Sequence, residues 1–163
     1  MLFPDLDNET IFIHRSDPNE LLGTFSPHAF KLDEREWLSV EHYFQAMKFE
    51  AVNTEYQEKI RQASHPKLAR KLGRNRLKKL RADWKKVRRV MMTRAVYTKC
   101  CAHEDVAKAL LNTNNSKLME GSQYDYYWGC GRDRRAENTY GKVLMDVRNK
   151  LQSERKNIEK DLS

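Results

Sequence analysis

The chain has 163 residues, with 31 Lys and Arg against 23 Asp and Glu, and three Trp, seven Tyr and six Phe. That length fits one domain able to bury a single core, and the aromatic content excludes a disordered chain. No apolar run approaches the roughly 18 residues of a membrane helix, and three cysteines, two of them adjacent, exclude a disulfide framework.

At the N-terminus, Met1-Leu2-Phe3-Pro4-Asp5 has neither the basic nor the apolar region of a secretory leader, so a cytoplasmic protein with reduced thiols is expected. Thr10–His14 reads as a short strand, Asp17-Pro18-Asn19 as a turn and Gly23–His28 as a loop. Phe30-Lys31-Leu32 and Glu36-Trp37 read as hairpin arms around Asp33-Glu34-Arg35. The principal helix follows over 39–50, capped by Ser39, with Glu41 suiting the positive end of its dipole. Val40, Tyr43, Phe44 and Met47 recur at the spacing of one buried face. A second helix is predicted over Thr54–Ala63. A third opens at Ser64-His65-Pro66 and ends at Gly73.

From Lys67 to Arg94 the chain carries thirteen Lys and Arg and one acid, Asp83, so this segment holds the whole positive excess. It is a candidate surface for phosphate or a nucleic-acid backbone; the alternative is a solvated face. The longest helix is expected from Leu80 to Cys101, and a shorter one over Glu104–Leu111. Thr113–Ser116 is turn chemistry, and Lys117–Glu120 reads as a brief strand. An aromatic, Gly-rich stretch, Gln123–Gly131, precedes a final helix that starts near Asn138 or Thr139. The charged segment 154–163 is expected to fray as a tail to a domain spanning 1–153. The fold class is therefore α+β, mainly helical, with a small N-terminal β component.

Three groups of residues can carry chemistry. Glu41, Gln45 and Lys48 share a narrow stripe beside the apolar face of the principal helix, where partial burial would shift their pKa values toward neutrality. Asp125-Tyr126-Tyr127-Trp128-Gly129-x-Gly131 combines rings that can stack a planar group with a carboxylate. Its structural alternatives are Trp128 as a core plug, Asp125 as a loop cap and Gly129 at a positive φ. The helix start at Asn138-Thr139-Tyr140-Gly141 offers free N–H groups for phosphate. Trp84 either stacks a base or anchors its helix. A Cys100-Cys101-x-His103 metal site is disfavoured, because adjacent cysteines on a helix diverge and no second ligand pair has zinc spacing. No metal and no cofactor are expected.

Trp37-x-Ser39-Val40-Glu41-His42-Tyr43-Phe44-Gln45-Ala46-x-Lys48-Phe49 resembles the YbiA-like (NADAR) family of N-glycosidases. Leu72-Gly73-Arg74, Trp84 with Met91, Asp125-x-x-Trp128-Gly129-x-Gly131, Asn138, Gly141, Leu144-Met145 and Arg148 extend the resemblance in order to about Leu151. It implies cleavage of an N-glycosidic bond to a ribose bearing phosphate. One branch of the family acts on phosphoribosyl-aminopyrimidine intermediates of riboflavin synthesis, and another removes ADP-ribose from guanine bases. By this resemblance Glu41, Trp84 and Asp125 fall on active-site positions and Lys48 on a conspicuous family lysine. The chain departs from the pattern at Gly23-Thr24, where relatives often have Ser-Asn, and at Asp33-Glu34, where they often have Asp-Gly.

Cleaving such a bond builds positive charge at the anomeric carbon. Glu41 and Asp125 are the expected acid pair, and a neutral Lys48 amine offers a Schiff-base route beside direct attack by water. Gln45, Arg74, Trp84, Tyr127, Trp128, Gly129, Asn138 and Gly141 are expected to bind a phosphoribosyl or ADP-ribosyl substrate. The rivals are an ADP-ribosyl hydrolase acting on modified nucleic acid and a non-catalytic module binding ADP-ribose or nucleic acid. No membrane partner is expected.

Overall fold

The computed structural model describes residues 9–163; the Met1–Asp5 segment lies outside the described residues. Its centre is α1 (Val40–Met47), all eight residues of which are buried. Ser39 caps the helix, its Oγ accepting from the His42 N–H at 3.2 Å and meeting His42 Nδ1 at 2.7 Å. The spacing predicts one apolar face, whereas α1 is enclosed all round: Glu41 and Gln45 are each only 2% exposed. Lys48 lies just past its end, as C-cap.

Before α1 run β1 (Thr10–Ile13) and a hairpin of β2 (Phe30–Leu32) and β3 (Arg35–Trp37). The hairpin turn is two residues, Asp33 and Glu34, with φ of 53° and 63°, as the right-handed strand twist demands of tight hairpins. Arg35 belongs to β3 rather than to the turn. The Asp33 carboxylate is fixed by Arg94 at 2.6 Å and by the Tyr43 hydroxyl at 2.8 Å.

Around α1 pack α2 (Thr54–Arg61), α3 (Pro66–Gly73) and α4 (Trp84–Ala102). His65 caps α3, its Nδ1 accepting from the Leu68 N–H, and Pro66 occupies the first turn. Gly73 ends α3 where expected, yet its lack of a side chain serves packing: a Cβ there would stand 2.0 Å from Gln45 Oε1. The predicted start of α4 at Leu80 is four residues early. Arg81 donates its backbone N–H to Lys48 O at 2.9 Å and pairs through its side chain with Asp83, so 80–83 turns instead of continuing the helix.

Then follow α5 (Glu104–Leu111), β4 (Lys117–Glu120) and α6 (Thr139–Leu162). β4 pairs in parallel with β1, Ile11 opposite Leu118 and Ile13 opposite Glu120, so the β component draws on both halves of the chain. At 24 residues α6 outlasts the 19-residue α4 as the longest helix. It continues through the segment expected to fray, where Glu154 accepts from Tyr97 Oη at 2.6 Å and Arg155 pairs with Glu104. No helix among the described residues is long and apolar enough to cross a membrane.

Candidate active site

Burying a carboxylate is costly unless every lone pair is met. Glu41 satisfies this condition. Its Oε1 accepts from Gln45 Nε2 at 2.7 Å and Arg70 Nε at 2.9 Å; its Oε2 accepts from Thr24 Oγ1 at 2.7 Å and Arg70 Nη2 at 3.2 Å. Burial alone would raise the Glu41 pKa, but the Arg70 charge and these hydrogen bonds outweigh it and bring the pKa down to about 2. Glu41 is therefore a fixed negative charge at neutral pH and has no proton to give.

Lys48 is the opposite case. Its Nζ donates to Gly73 O at a long 3.3 Å and lies 5.8 Å from the Phe44 ring centre. Burial lowers its pKa; Glu41 opposes that shift while Arg74 and Arg70 add to it, leaving it at about 8. A substantial fraction of Lys48 is neutral amine near physiological pH, the form that attacks carbon.

Glu41, Gln45 and Lys48 line one cavity of about 180 Å³ together with Arg74, Trp84 and Trp128. The Phe44 ring lies 5.0 Å from Trp84 and 5.3 Å from Trp128, which makes the apolar wall. Three further cations complete it: Arg15, Arg70 and Arg88. Five cations thus face one carboxylate, and Nε of Arg15 and of Arg88 are buried without partners. Unspent buried donors of this kind require an explanation, and an anionic ligand supplies one.

A second, wider cleft of about 600 Å³ adjoins this cavity through Arg15, Arg70 and Arg74, which line both. Asp125 and Tyr127 lie here. Asp125 Oδ1 accepts from the backbone N–H groups of Tyr127 and Trp128 at 3.0 and 2.8 Å, and its Oδ2 takes Arg15 Nη2 at 2.7 Å. The expected pairing of Glu41 with Asp125 inside one cavity does not occur: Asp125 caps the aromatic loop and holds Arg15. The Arg88 guanidinium lies 3.4 Å from the Tyr127 ring centre, a stacked cation–π contact.

Three predicted binding residues line neither space. Asn138 is buried in the left-handed region (φ 51°), its Oδ1 accepting from Glu120 N and its Nδ2 donating to Leu118 O. A Cβ on Gly141 would stand 2.2 Å from Leu118 O, and one on Gly129 would stand 2.6 Å from Ser122 O. These residues join α6 and the aromatic loop to β4. The helix start expected to hold phosphate is covered by that strand.

Sequence reasoning missed Arg15, Arg70, Arg88 and Thr24. Arg70 had a signal, since it sits one helical turn before Arg74, the residue that caps the end of α3; Arg15 had none. Thr24, one of the two residues at the first departure from the family pattern, turns out to hold Glu41 directly and also accepts the Glu41 N–H at 3.0 Å. Its loop is fastened from α4 by Lys99, which is 2% exposed and donates to Leu21 O, Gly23 O and Ser26 Oγ.

An α+β, mainly helical domain with a buried carboxylate and a low-pKa lysine in one cationic cavity defines a class of ligand-processing protein. Residues 11–152 match the NADAR domain, and the chain belongs to that family. N-glycosidase YbiA of Escherichia coli (strain K12) is 36% identical over 144 residues, which cover 88% of this chain and 89% of that protein. N-glycosidase Npun_R5314 of Nostoc punctiforme is 36% identical over 146 residues, covering 88% of this chain and 94% of the other. The NMR structure of E. coli YbiA superposes with a TM-score of 0.81 at 35% identity, covering 91% of this chain and 88% of that one.

Proposed function

We infer that the chain is an N-glycosidase, a hydrolase that releases a base from a ribose phosphate. Its relatives carry that name, and one at 33% identity, covering 79% of this chain and 23% of its own length, is the maize riboflavin biosynthesis protein PYRR. The substrate read from these is a phosphoribosyl-aminopyrimidine of riboflavin synthesis. The observation that carries the reading is the fixed Glu41 charge beside a partly neutral Lys48 amine, in a cavity with cationic donors to spare for phosphate.

The chemistry follows from these states. In a glycosylamine, opening the sugar ring breaks the C1′–O4′ bond, the ring oxygen takes a proton from solvent, and an iminium is left at C1′ whose positive charge the Glu41 carboxylate stabilises. Lys48 Nζ adds to C1′, a proton passes from Nζ to the base nitrogen, and the C1′–N bond breaks to release the free amine. Lys48 is then joined to the sugar as an iminium, and water hydrolyses it to aldehyde and lysine. Saturation of Glu41 by four hydrogen bonds favours this route over one in which Glu41 activates water. Arg15, Arg74 and Arg88 are placed to hold phosphate. The cavity volume is below the roughly 300–1,000 Å³ of drug-sized pockets, so it suits the sugar phosphate alone, with the base in the wider cleft.

The width of that cleft also admits a larger leaving group, and ADP-ribosylated guanine is the second reading. Mass spectrometry of products from phosphoribosyl-aminopyrimidine, ADP-ribose, NAD and ADP-ribosylated guanosine separates the two. Ribose 5-phosphate from the first compound is expected. Glu41→Gln should lower that turnover by about 10²-fold or more while melting remains cooperative. Release of ADP-ribose from the last compound alone would establish the second reading, and turnover unchanged in Glu41→Gln would remove Glu41 from the reaction.

A further inference from the structure

His103 closes α4 and opens α5. The side chains gathered with it are not Cys100 and Cys101 but His28 and Asp105, and one ligand atom from each of the three lies within 4.8 Å of the others. His28 Nε2 stands 3.2 Å from Asp105 Oδ2. The two are hydrogen-bonded to each other; ligands bound at zinc–nitrogen or zinc–oxygen distances on a tetrahedral ion stand about 3.3 Å apart, so an ion replacing the shared proton needs little movement of this pair. The two imidazoles meet edge to face with centres 4.9 Å apart. His103 Nε2 contacts Ala29 O at 2.6 Å. That bond takes the Nε2–H and leaves the lone pair on Nδ1, the backbone-carbonyl support common behind metal-bound imidazoles. The neighbouring Glu104 is engaged by Arg155, so Asp105 is the carboxylate available.

We propose that His28, His103 and Asp105 form a divalent transition-metal site, suited to Zn²⁺ by its two imidazoles and one carboxylate, and that a bound ion fastens the Thr24 loop to the α4–α5 junction. His28 lies four residues after Thr24, and the loop beyond Ser26 already meets this junction through His28–Asp105 and His103–Ala29. The three protein ligands leave a fourth position for water. None of the three lines the catalytic cavity or its cleft, so no ligand of this site takes part in the reaction proposed above.

Full-length protein is dialysed against chelator and titrated with Zn²⁺ by calorimetry and with Co²⁺ by absorption. One ion per chain is expected, with a Co²⁺ spectrum free of thiolate charge transfer and a melting temperature that rises with Zn²⁺ concentration. Asp105→Asn, an exposed and nearly isosteric change, and His103→Gln should each weaken binding at least about tenfold, while Cys101→Ser leaves it intact. Absence of saturable binding, binding that survives Asp105→Asn and His103→Gln, or binding lost in Cys101→Ser would each overturn the site. Turnover measured in chelator, expected to be equal in wild type and Asp105→Asn, keeps this outcome apart from that of the proposed reaction.

Discussion

Glu41 is buried and Lys48 half-buried in the same place; hydrogen bonds and the Arg70 charge hold Glu41 ionised, while burial pushes Lys48 toward the neutral amine. For Glu41 the folded pKa of about 2 lies below the ordinary 4.5, so the folded state prefers the carboxylate. Its contribution, roughly 3 kcal/mol on the scale of 1.36 kcal/mol per pK unit, is complete above pH 4.5 and is lost as pH falls toward 2. Denaturant melts across that window should show wild-type stability falling more steeply than that of Glu41→Gln, with the two curves converging at low pH. A constant gap between them would mean that Arg70 does not stabilise the Glu41 charge. For Lys48 it is the charged form that folding disfavours: that cost is present below pH 8 and is relieved as pH rises toward 10.5, so stability again rises with pH.

Which residues face this cavity was only partly legible in the sequence. The stripe of Glu41, Gln45 and Lys48 follows from helical spacing alone, and Trp84 and Trp128 were singled out by residue type. Arg70 and Arg88 were hidden in a run of thirteen basic residues, where nothing distinguishes an inward arginine from a solvated one. Asn138 and Gly141 misled for a related reason. The residues of a free helix start and of one sealed by a strand are the same, and only the pairing of β4 with β1 tells them apart.

At the scale of elements, the helices announced themselves by periodicity and caps, and β1 to β4 pairing did not. Two four-residue strands more than 100 residues apart carry no local signal of each other. The β2–β3 hairpin is a sharper case. Where relatives often place Gly, Glu34 sits at φ 63°, a conformation that costs a non-Gly residue about 1–2 kcal/mol. Asp33 offsets the strain of its own left-handed backbone through Arg94 and Tyr43, whereas Glu34 has no such anchor. Glu34→Gly is expected to raise stability by about 0.5–1 kcal/mol, net of the entropy of the glycine, with turnover unchanged. A destabilised variant would show that the turn is not strained at this position.

Over the whole molecule, positive charge is concentrated in one 28-residue segment. That segment forms α3, the following turn and the first half of α4, so the fold brings Arg70, Arg74 and Arg88 to the lining of the cavity, with Arg74 still exposed at its rim. The far end of α6 stands apart from this arrangement. Truncation after Ser153 removes the Tyr97–Glu154 hydrogen bond and the half-exposed Arg155–Glu104 pair, contacts worth about 1 kcal/mol each at most. The truncated chain should therefore melt within a few degrees of the full one and keep its turnover; loss of folding would place 154–163 inside the domain.

All of this rests on a lysine that is partly neutral beside a carboxylate that is always charged. Borohydride added during turnover of a phosphoribosyl-aminopyrimidine tests it most directly. A reduced sugar phosphate adduct is expected on the peptide carrying Lys48, formed faster as pH rises through about 8 and absent in Lys48→Met, which also turns nothing over. Undiminished turnover in Lys48→Met, or full turnover with no adduct on any peptide, would contradict it.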